Sequence, residues 1–411
     1  MQRSFCLILM LLFGTFYTVL AQVGCTDPLA TNYDPSATIN DGSCTYQNTT
    51  LSPVFSQNLS PVLNETSGLI YWNNRLWTHN DNSDINLYNF HPDSVNIIDS
   101  IELTGSSNRD QEEITQDSNY IYLGDFGNNA NGNRTDLRIL RIDKSDLLQN
   151  LITIDTIFFS YSDQINFTAT GSNNTDFDCE SFIVSSDSIF LFTKQWVSQK
   201  TAKYSLPKTP GVYVAQFSGL LNVQGLVTAA TYLEDKRLLL MSGYSTTVQP
   251  FIYLLYDFNG TDFFGANKRK INLNLGFHQI EGICSEDGST YYLTNERLSY
   301  SFITVEPKLH KIDLNAYLEN YLNPPVLAVD FHAIPTCRFY PNPATEIVYF
   351  GTEIGDVSEI MLTNLSIGQS DVFKVTNKQS FNLSFLAKGV YQACILDEHR
   401  TILCADKIIK K

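Results

Sequence analysis

Three glutamates, Glu112, Glu180 and Glu281, have the spacing and setting most suited to chemistry, because each stands at the start of a similar apolar segment. If these segments are strands around one axis, the three carboxylates converge at a channel. Converging carboxylates repel one another, so one is protonated or a cation or basic group lies among them. Since all the ligand atoms are oxygens, the expected metal is Ca²⁺. The alternative is that each glutamate caps backbone amides of its own or the next repeat.

A second polar set stands at the ends of the strands that follow. It supplies three candidates for acid–base catalysis, which are His79, Asp125 and Lys194. Lys194 and Arg134 could also neutralise the acidic groups. The candidate ligand-binding residues in this set are Asn80, Asp81, Asn128, Arg134, Asn295 and Glu296. Strand ends are expected at the opposite mouth from strand starts, or at a different depth, unless the turns fold back.

Familiar catalytic signatures are missing from the sequence. It contains no HExxH, no CxxC pair, no GxSxG and no phosphate-cradling glycine-rich loop. Cys179 and Cys284 lie beside two of the glutamates, and His278 precedes Glu281 by three residues. A Cys–His nucleophile is one interpretation, but packing of the cysteines in the core is favoured. The sequence therefore predicts no definite reaction.

The elements that must position these residues recur along the chain. A strand start, a polar turn and a second apolar strand ending in a small residue repeat five times, with starts at Ser67, Glu112, Glu180, Thr231 and Glu281. The start and the small residue are 11 to 13 residues apart in each repeat. Repeated hairpins at intervals of 45 to 68 residues indicate a β-propeller over residues 64–335. Residues 327–332 with 54–59 could close a sixth blade, so five and six blades both remain open.

Composition limits the class of protein. The 411 residues are 12% aromatic and only 17% charged, which is typical of an all-β extracellular protein. A net charge of −16 without a basic cluster argues against a nucleic-acid partner. Residues 1–21 have the basic start, apolar centre and Val19-Leu20-Ala21 end of a signal peptide. No later segment is long and apolar enough to span a membrane.

Residues 22–46 are predicted to be a small module closed by a Cys25–Cys44 disulfide, because they lack the periodicity to bury a core. They resemble the GCTDP…NYDP.AT…DGSC module of many secreted Bacteroidetes-type proteins. Asp27, Asn32, Asp34 and Asp41 could bind Ca²⁺, but capping of turns is favoured. Residues 47–63 are a linker that could supply a closing strand.

Residues 336–411 differ in character and form a separate domain. The residues Tyr340, Pro341, Asn342, Pro343, Gly389, Val390, Tyr391 and Lys407 resemble the type A C-terminal sorting domain of the Bacteroidetes type IX secretion system. That resemblance implies a small β-sandwich, export through the periplasm and outer membrane, and a secreted or cell-surface location with the secretion machinery as partner. Cys394 and Cys404 could form a cross-strand disulfide or remain buried thiols.

The propeller resembles a loosely defined group of secreted Bacteroidetes-type propellers, through Ser67–Asp81 and Asp110–Ile142. It is more distantly similar to esterase-like phytase propellers, which would imply an acidic, calcium-dependent site. Gln111 stands where an aromatic residue often precedes the glutamate, and Thr231 stands where an acid is expected. The fold class is therefore all-β, a propeller followed by a small sandwich.

The preferred functional hypothesis is a binding platform for an extracellular glycan or peptide. The alternative is a Ca²⁺-dependent phosphoesterase or esterase that uses Glu112, Glu180 and Glu281 as ligands and Asp125 or His79 as base. A third hypothesis is purely structural adhesion at the cell surface.

Overall fold

Strands dominate the structure, a computed structural model that describes residues 22–323, 337–350, 357–365, 369–375, 379–397 and 402–411. The predicted signal peptide, residues 1–21, lies outside the described residues. The chain divides into two units, Met1–Pro324 and Pro325–Lys411. Within the described residues, no helix is long and apolar enough to cross a membrane.

The N-terminal module is a loop clamped by short parallel strands β1 (Val23–Gly24) and β2 (Ile39–Asn40). The predicted Cys25–Cys44 disulfide is formed. All three aspartates of the module cap turns, because each accepts the backbone N–H two residues ahead at 2.9 Å: Asp27 from Leu29, Asp34 from Ser36 and Asp41 from Ser43. The second oxygen of Asp27 accepts the hydroxyl groups of Tyr46 and Tyr256, which fastens the module to the propeller.

Two short strands, β3 (Thr49–Leu51) and β4 (Phe55–Asn58), precede the repeats. Blade 1 contains β5 (Thr66–Trp72), β6 (Arg75–Asn80), β7 (Asn86–His91) and β8 (Ser94–Glu102). Blade 2 contains β9 (Gln111–Gln116), β10 (Tyr120–Asp125), β11 (Arg138–Asp143) and β12 (Ile154–Tyr161). Blade 3 contains β13 (Asp178–Val184), β14 (Ser188–Lys194), β15 (Thr201–Pro207) and β16 (Gly211–Leu221).

Blade 4 contains β17 (Leu226–Leu233), β18 (Leu238–Tyr244), β19 (Pro250–Tyr256) and β20 (Asn267–Leu273), and β3 pairs parallel to its outer edge. Blade 5 contains β21 (Ile280–Ser285), β22 (Thr290–Asn295) and β25 (Lys308–Asp313). A hairpin of β23 (Leu298–Tyr300) and β24 (Ile303–Val305) projects between β22 and β25. Helices are short, with α1 at Lys144–Leu147, α2 at Asn315–Leu322 and 3-10 turns at Pro61–Leu63, Glu234–Lys236 and Phe263–Gly265.

The innermost strands β5, β9, β13, β17 and β21 contact one another in a closed ring, so the described residues form five blades. β4 supplies the fourth strand of blade 5 by pairing with β25. Residues 327–332, the other half of the predicted sixth blade, lie outside the described residues. Strands β12 and β16 also pair in parallel, which joins the outer edges of blades 2 and 3.

Five apolar clusters fill the interfaces between neighbouring blades. The second strand of blade 4 shows how the sequence makes this possible. Leu238 and Leu240 pack toward blade 5, whereas Leu239 and Met241 pack toward blade 3. Because side chains alternate along a strand, an unbroken apolar run can serve two interfaces at once. Cys179 and Cys284 are buried in two of these clusters, as the packing interpretation predicts.

The C-terminal unit has two sheets around one apolar cluster. One pairs β26 (Ile347–Tyr349) with β29 (Ser380–Asn382). The other has the order β28 (Ser370–Lys374), β27 (Glu359–Asn364), β30 (Gly389–Leu396), β31 (Ile402–Lys410). The Tyr340–Pro343 turn is held against β31, because Asn342 donates to Lys407 O at 2.6 Å and accepts from Ile409 N at 2.8 Å.

The predicted Cys394–Cys404 disulfide is wrong. Cys404 pairs with Cys337, and Cys394 is a free, buried thiol. The register places Cys394 opposite Ala405 and Ile395 opposite Cys404. Residues opposite each other share a face, so Cys394 and Cys404 point to opposite faces of the sheet. The strand register therefore differs by one residue from the one that a Cys394–Cys404 disulfide requires.

Candidate functional site

A β-bulge near the start of each innermost strand places the site residues. The register between the first and second strand of every blade shifts at this point. In blades 2 to 5 the shift leaves Glu112, Glu180, Thr228 and Glu281 without a pairing partner on the neighbouring strand. A bulged residue bends the strand and redirects its side chain. All four side chains are buried.

The predicted position in blade 4 is wrong by three residues. Thr231 pairs regularly with Leu240 and lies beyond the bulge, whereas Thr228 occupies the position of the glutamates. The hydroxyl of Thr228 donates to the backbone carbonyl of Ile280 in blade 5. The sequence repeat placed the start of this strand at Thr231, near its end, whereas β17 begins at Leu226. The position equivalent to the glutamates was therefore predicted three residues too late.

Strand starts and strand ends meet at one mouth, not at opposite mouths. Antiparallel pairing places Asp178 opposite Lys194 and Thr66 opposite Asn80. One cavity of about 210 Å³ lies there, and residues of all five blades line it. Five of the lining residues are acidic: Asp81, Glu112, Glu180, Glu281 and Glu296. We call this space the mouth cavity.

Among the residues that the structure describes, Lys194 is the single cationic side chain lining the mouth cavity. Its Nζ lies 2.5 Å from Glu180 Oε2, 4.7 Å from the centroid of the Trp196 ring and 5.1 Å from that of Tyr244. Burial alone would lower the pKa of Lys194, but Glu180 and the surrounding acids raise it well above its ordinary value. The lysine is therefore charged, and the basic group expected among the glutamates is part of the protein.

Glu112 is buried in the mouth cavity without compensation. It is 6% exposed, and its carboxylate has no hydrogen-bond partner within the described part of the chain. Burial, with Glu180 and Asp110 nearby, raises the pKa of Glu112 well above its ordinary value. A Cβ at Gly127 would overlap Glu112 Oε1 and the carboxylate of Asp110, so a larger residue there would displace both side chains. Such an unpaired buried acid is costly unless a ligand contacts it.

Two further acids of the mouth cavity hold protons near neutral pH. Burial raises the pKa of Glu281 to about 7, with Lys194 opposing the shift. Burial together with Glu65 and Glu281 raises the pKa of Asp81 to about 7. The charge of the cavity therefore becomes more negative as pH rises through neutrality.

Glu113 was not among the predicted site residues. It caps backbone amides, the role considered above as the alternative for Glu112, Glu180 and Glu281. It is fully buried, and its oxygens accept from Ile114 N at 3.0 Å and from Ala230 N, in blade 4, at 2.8 Å. A Cβ at Gly68 would lie 2.6 Å from Glu113 Oε1. Glu113 thus ties blade 2 to blade 4 across the ring.

A second acidic group lies at the seam between blades 1 and 5. Oxygens of Glu65, Asp81 and Glu296 all lie within 4.8 Å of one another, and no other such group occurs among the described residues. The set therefore differs from Glu112, Glu180 and Glu281. Asp81 N donates to Glu65 O at 3.0 Å, which aligns two of the three. Ligands 2.3 to 2.6 Å from one ion can be roughly 5 Å apart, so the spacing fits Ca²⁺. Glu65 was missed because it precedes the repeated motif.

The catalytic candidates other than Lys194 do not line the mouth cavity. Burial lowers the pKa of His79 to about 4, and its Nδ1 lies 3.2 Å from Asn80 O. Asp125 is fully buried between two arginines, at 2.9 Å from Arg134 and 2.7 Å from Arg138. Asp125 therefore braces the chain around the mouth, whereas Nε2 of His79 is buried with no hydrogen-bond partner among the described residues.

Of the six predicted ligand-binding residues, only Asp81 and Glu296 line the mouth cavity. The others hold loops. Asn80 donates to Val62 O, Asn295 to Glu306 O and Asn128 to Phe177 O, while Arg134 binds Asp125. The lining residues that were not predicted as ligands are Ser67, Asn129, Asn173, Trp196, Tyr244 and Gln279. The repeated sequence pattern could not have predicted Trp196, because this residue follows the end of the strand, Lys194, by two positions and lies outside the pattern.

Comparisons with known proteins identify the C-terminal unit. Residues 338–411 match the family model of the secretion system C-terminal sorting domain. A comparison with curated proteins gave no significant match. Among solved structures, PorZ, a surface component of the type-IX secretion system of Porphyromonas gingivalis, is 10% identical, with a TM-score of 0.30 and coverage of 84% of this chain and 45% of PorZ. The chain thus spans less than half the length of PorZ.

Two propeller structures are similar at the same low level. U3-55K is 7% identical over 64% of this chain and 100% of its own, with a TM-score of 0.34. The WD40 repeats of RRP9 are 8% identical over 65% and 100%, with a TM-score of 0.33. Such scores carry no argument about function, and the propeller is assigned from its own strand order. The protein is an exported β-propeller whose residues 338–411 are a type IX secretion system C-terminal sorting domain, which directs it to the cell surface or the extracellular space.

Proposed function

We propose that the propeller is a binding platform for an extracellular ligand, a glycan or a peptide, and that the mouth cavity is its site. The observation that carries this proposal is the buried, unpaired carboxylate of Glu112 inside a cavity that all five blades line. A rigid ring of strands holds these side chains in place before any ligand arrives, so binding costs little ordering of the protein.

The remaining lining supports recognition of a polar ligand. The amides of Asn129, Asn173 and Gln279 offer hydrogen bonds of both kinds. Trp196 is half-buried and presents part of its ring to the cavity, which suits sugar faces as well as cations. None of the three acid–base candidates is free in the cavity, since His79 is buried away from it, Asp125 is paired with arginines and Lys194 is paired with Glu180. Binding therefore fits the arrangement better than catalysis does.

Arrays of glycans and peptides probed with the exported protein test this proposal. A ligand of the mouth cavity should quench Trp196 fluorescence and should lose affinity with Glu112→Gln, while the melting temperature of that variant does not fall. Glu102→Gln, an exposed acid on the outer strand of blade 1, is the matched control. Ligands that bind Glu112→Gln and the parent equally would place the site elsewhere.

The alternative function, a Ca²⁺-dependent phosphoesterase or esterase, is favoured by the carboxylates of Glu65, Asp81 and Glu296. Oxygen ligands at this spacing would hold the ion beside the mouth cavity, where it could polarise a phosphoryl or acyl oxygen. The predicted ligands Glu112, Glu180 and Glu281 lie in the same cavity, although Glu180 is paired with Lys194.

Thermal unfolding with calcium titrated against chelator tests the metal. Binding to the folded state alone stabilises it by about 2.7 kcal/mol at a hundredfold excess over the dissociation constant. The shift should vanish with Asp81→Asn if the seam binds the ion, or with Glu180→Gln if the glutamates do. No shift at millimolar calcium would remove this alternative, and turnover of ester substrates that survives chelation would remove the metal from its mechanism.

A further inference from the structure

A second recess adjoins the mouth cavity between blades 4 and 5. It has a volume of about 450 Å³ and is lined by residues 246–248, Phe277, Leu298, Tyr300 and Ile303. Its walls are largely apolar, in contrast to the carboxylates beside it. We call it the apolar groove.

The groove exposes side chains that ordinarily lie in a core. Of the lining residues, Tyr300 is 74% and Phe277 is 48% exposed. Phe302, on the same β23–β24 hairpin, is 92% exposed but does not line the groove. Clustered exposed aromatics on a soluble protein mark surfaces that bind. Val248 and Phe277 also have left-handed backbones, with φ of 56° and 62°, and Phe277 N donates to Val248 O at 3.1 Å. This conformation is unfavourable for branched or bulky residues, and such strain collects at functional sites.

Three chain segments lead directly from the mouth cavity to the groove. Tyr244 and Thr246, Gln279 and Phe277, and Glu296 and Leu298 are pairs whose first member lines the cavity and whose second lines the groove. Each pair is two residues apart, a span of at most about 7 Å. Side chains at alternate positions of an extended peptide point the same way and are also roughly 7 Å apart. One short extended segment can therefore reach both recesses.

The charge of the mouth cavity selects the group that enters it. Five acids face one lysine, and Glu112 has no partner within the described residues. The cavity already holds one ammonium group, that of Lys194, between Glu180 and the rings of Trp196 and Tyr244. Burial and the neighbouring acids favour the protonated form of Glu112 in the empty cavity. A second cationic group would lower the pKa of Glu112 and pair with its carboxylate, whereas a neutral sugar could only hydrogen-bond the protonated acid and an acidic sugar would raise that pKa further.

We propose that the mouth cavity and the apolar groove together bind an extended peptide segment with a lysine or arginine in the cavity and an aliphatic or aromatic residue, two positions away, in the groove. This assignment rests on the proposed function of the mouth cavity as a binding site, and it chooses peptide over glycan. The cation–carboxylate contact sets the register, and the apolar side chain adds buried area.

A library of acetylated, amidated pentapeptides of the form Gly-X-Ser-X-Gly, randomised at both X positions, tests the inference with the full exported chain. The expected result is enrichment of peptides with a basic residue at one X and an apolar residue at the other. Glu112→Gln should weaken the selected peptide by roughly tenfold or more, and Glu102→Gln should not change its affinity. Phe277→Asn removes the groove wall with a residue that tolerates the left-handed backbone, so it should lower affinity without unfolding the protein.

Two outcomes would overturn the inference in different ways. Enrichment without a basic residue, or a glycan that binds and depends on Glu112, would refute the peptide assignment and leave the binding platform standing. If neither the peptide library nor a glycan array yields a ligand that depends on Glu112, the inference and the proposed function both fail.

Discussion

At the scale of single residues, two adjacent glutamates have opposite roles. Glu112 is buried and its carboxylate has no hydrogen-bond partner among the described residues, whereas Glu113 accepts from backbone amides of its own blade and of blade 4. The sequence shows only a Glu-Glu pair at a strand start. The bulge at Glu112 turns this residue, and not Glu113, toward the cavity. No residue pattern in the sequence predicted the bulge.

These roles predict opposite effects of the same substitution. Glu113→Gln should lower the free energy of unfolding by about 1–3 kcal/mol, because its amide would present a donor to a backbone N–H. Glu112→Gln should be neutral or stabilising, since it removes an uncompensated buried acid. Urea denaturation of both variants, with Glu102→Gln as control, checks this. Equal destabilisation by the two would contradict the assignment.

A pH dependence follows from Glu281. Its pKa is about 7 in the folded protein against an ordinary 4.5, so the folded state keeps a proton that the unfolded chain loses. Stability should therefore fall as pH rises from about 4.5 to about 7, by at most about 3 kcal/mol from this group. Glu281→Gln should flatten that fall in denaturation curves measured across the window. Asp81 titrates over a similar range and should leave a residual slope.

At the scale of elements, the sequence predicted the hairpins and missed their geometry. Alternating apolar residues located each strand pair, because inner strands packed on both faces need such runs. The prediction that strand starts and strand ends lie at opposite mouths of the channel was wrong. Antiparallel pairing alone excludes it, because the start of one strand adjoins the end of the next. The bulges, Thr228 and the loop residue Trp196 could not be derived, because each depends on contacts with another blade.

The closing strand β4 yields a prediction about truncation. A chain that begins at Ser60 lacks β4 and Leu59, so the backbone edge of β25 and part of a core cluster are exposed. It should aggregate on size-exclusion chromatography. A chain that begins at Gln47 keeps β3 and β4 and should remain monomeric and folded. Monomeric behaviour of the shorter chain would show that β4 is dispensable.

At the scale of the whole molecule, the chain combines a β-propeller with a C-terminal sorting domain. The sorting motif was predicted from its residues, and the structure adds that Asn342 fastens the Tyr340–Pro343 turn to β31. The cysteine pairing could not be predicted, because Cys337 precedes the domain's first strand and reaches Cys404 only in three dimensions. A hairpin considered alone favoured Cys394 as the partner of Cys404, because Cys394 is closer in the sequence.

Removal of residues 338–411 should stop export at the periplasm, because the secretion machinery recognises that domain. Cell fractionation with immunoblotting measures the location. Deletion of residues 22–46 is the control and should leave export intact. If the chain without residues 338–411 still reached the cell surface, another segment would have to contain the sorting signal.

The pairing of β4 with β25 also determines when the ring can form. Ser56 and His310, which share a hydrogen bond of 2.7 Å, are 254 residues apart in the chain. Strand β4, which is synthesised before all five inner strands, must therefore wait for the last strand of blade 5, and closing so long a loop carries an entropic cost before any contact compensates it. Topologies dominated by such distant pairings fold slowly. The propeller should consequently remain an open arc of blades until β4 and β25 pair.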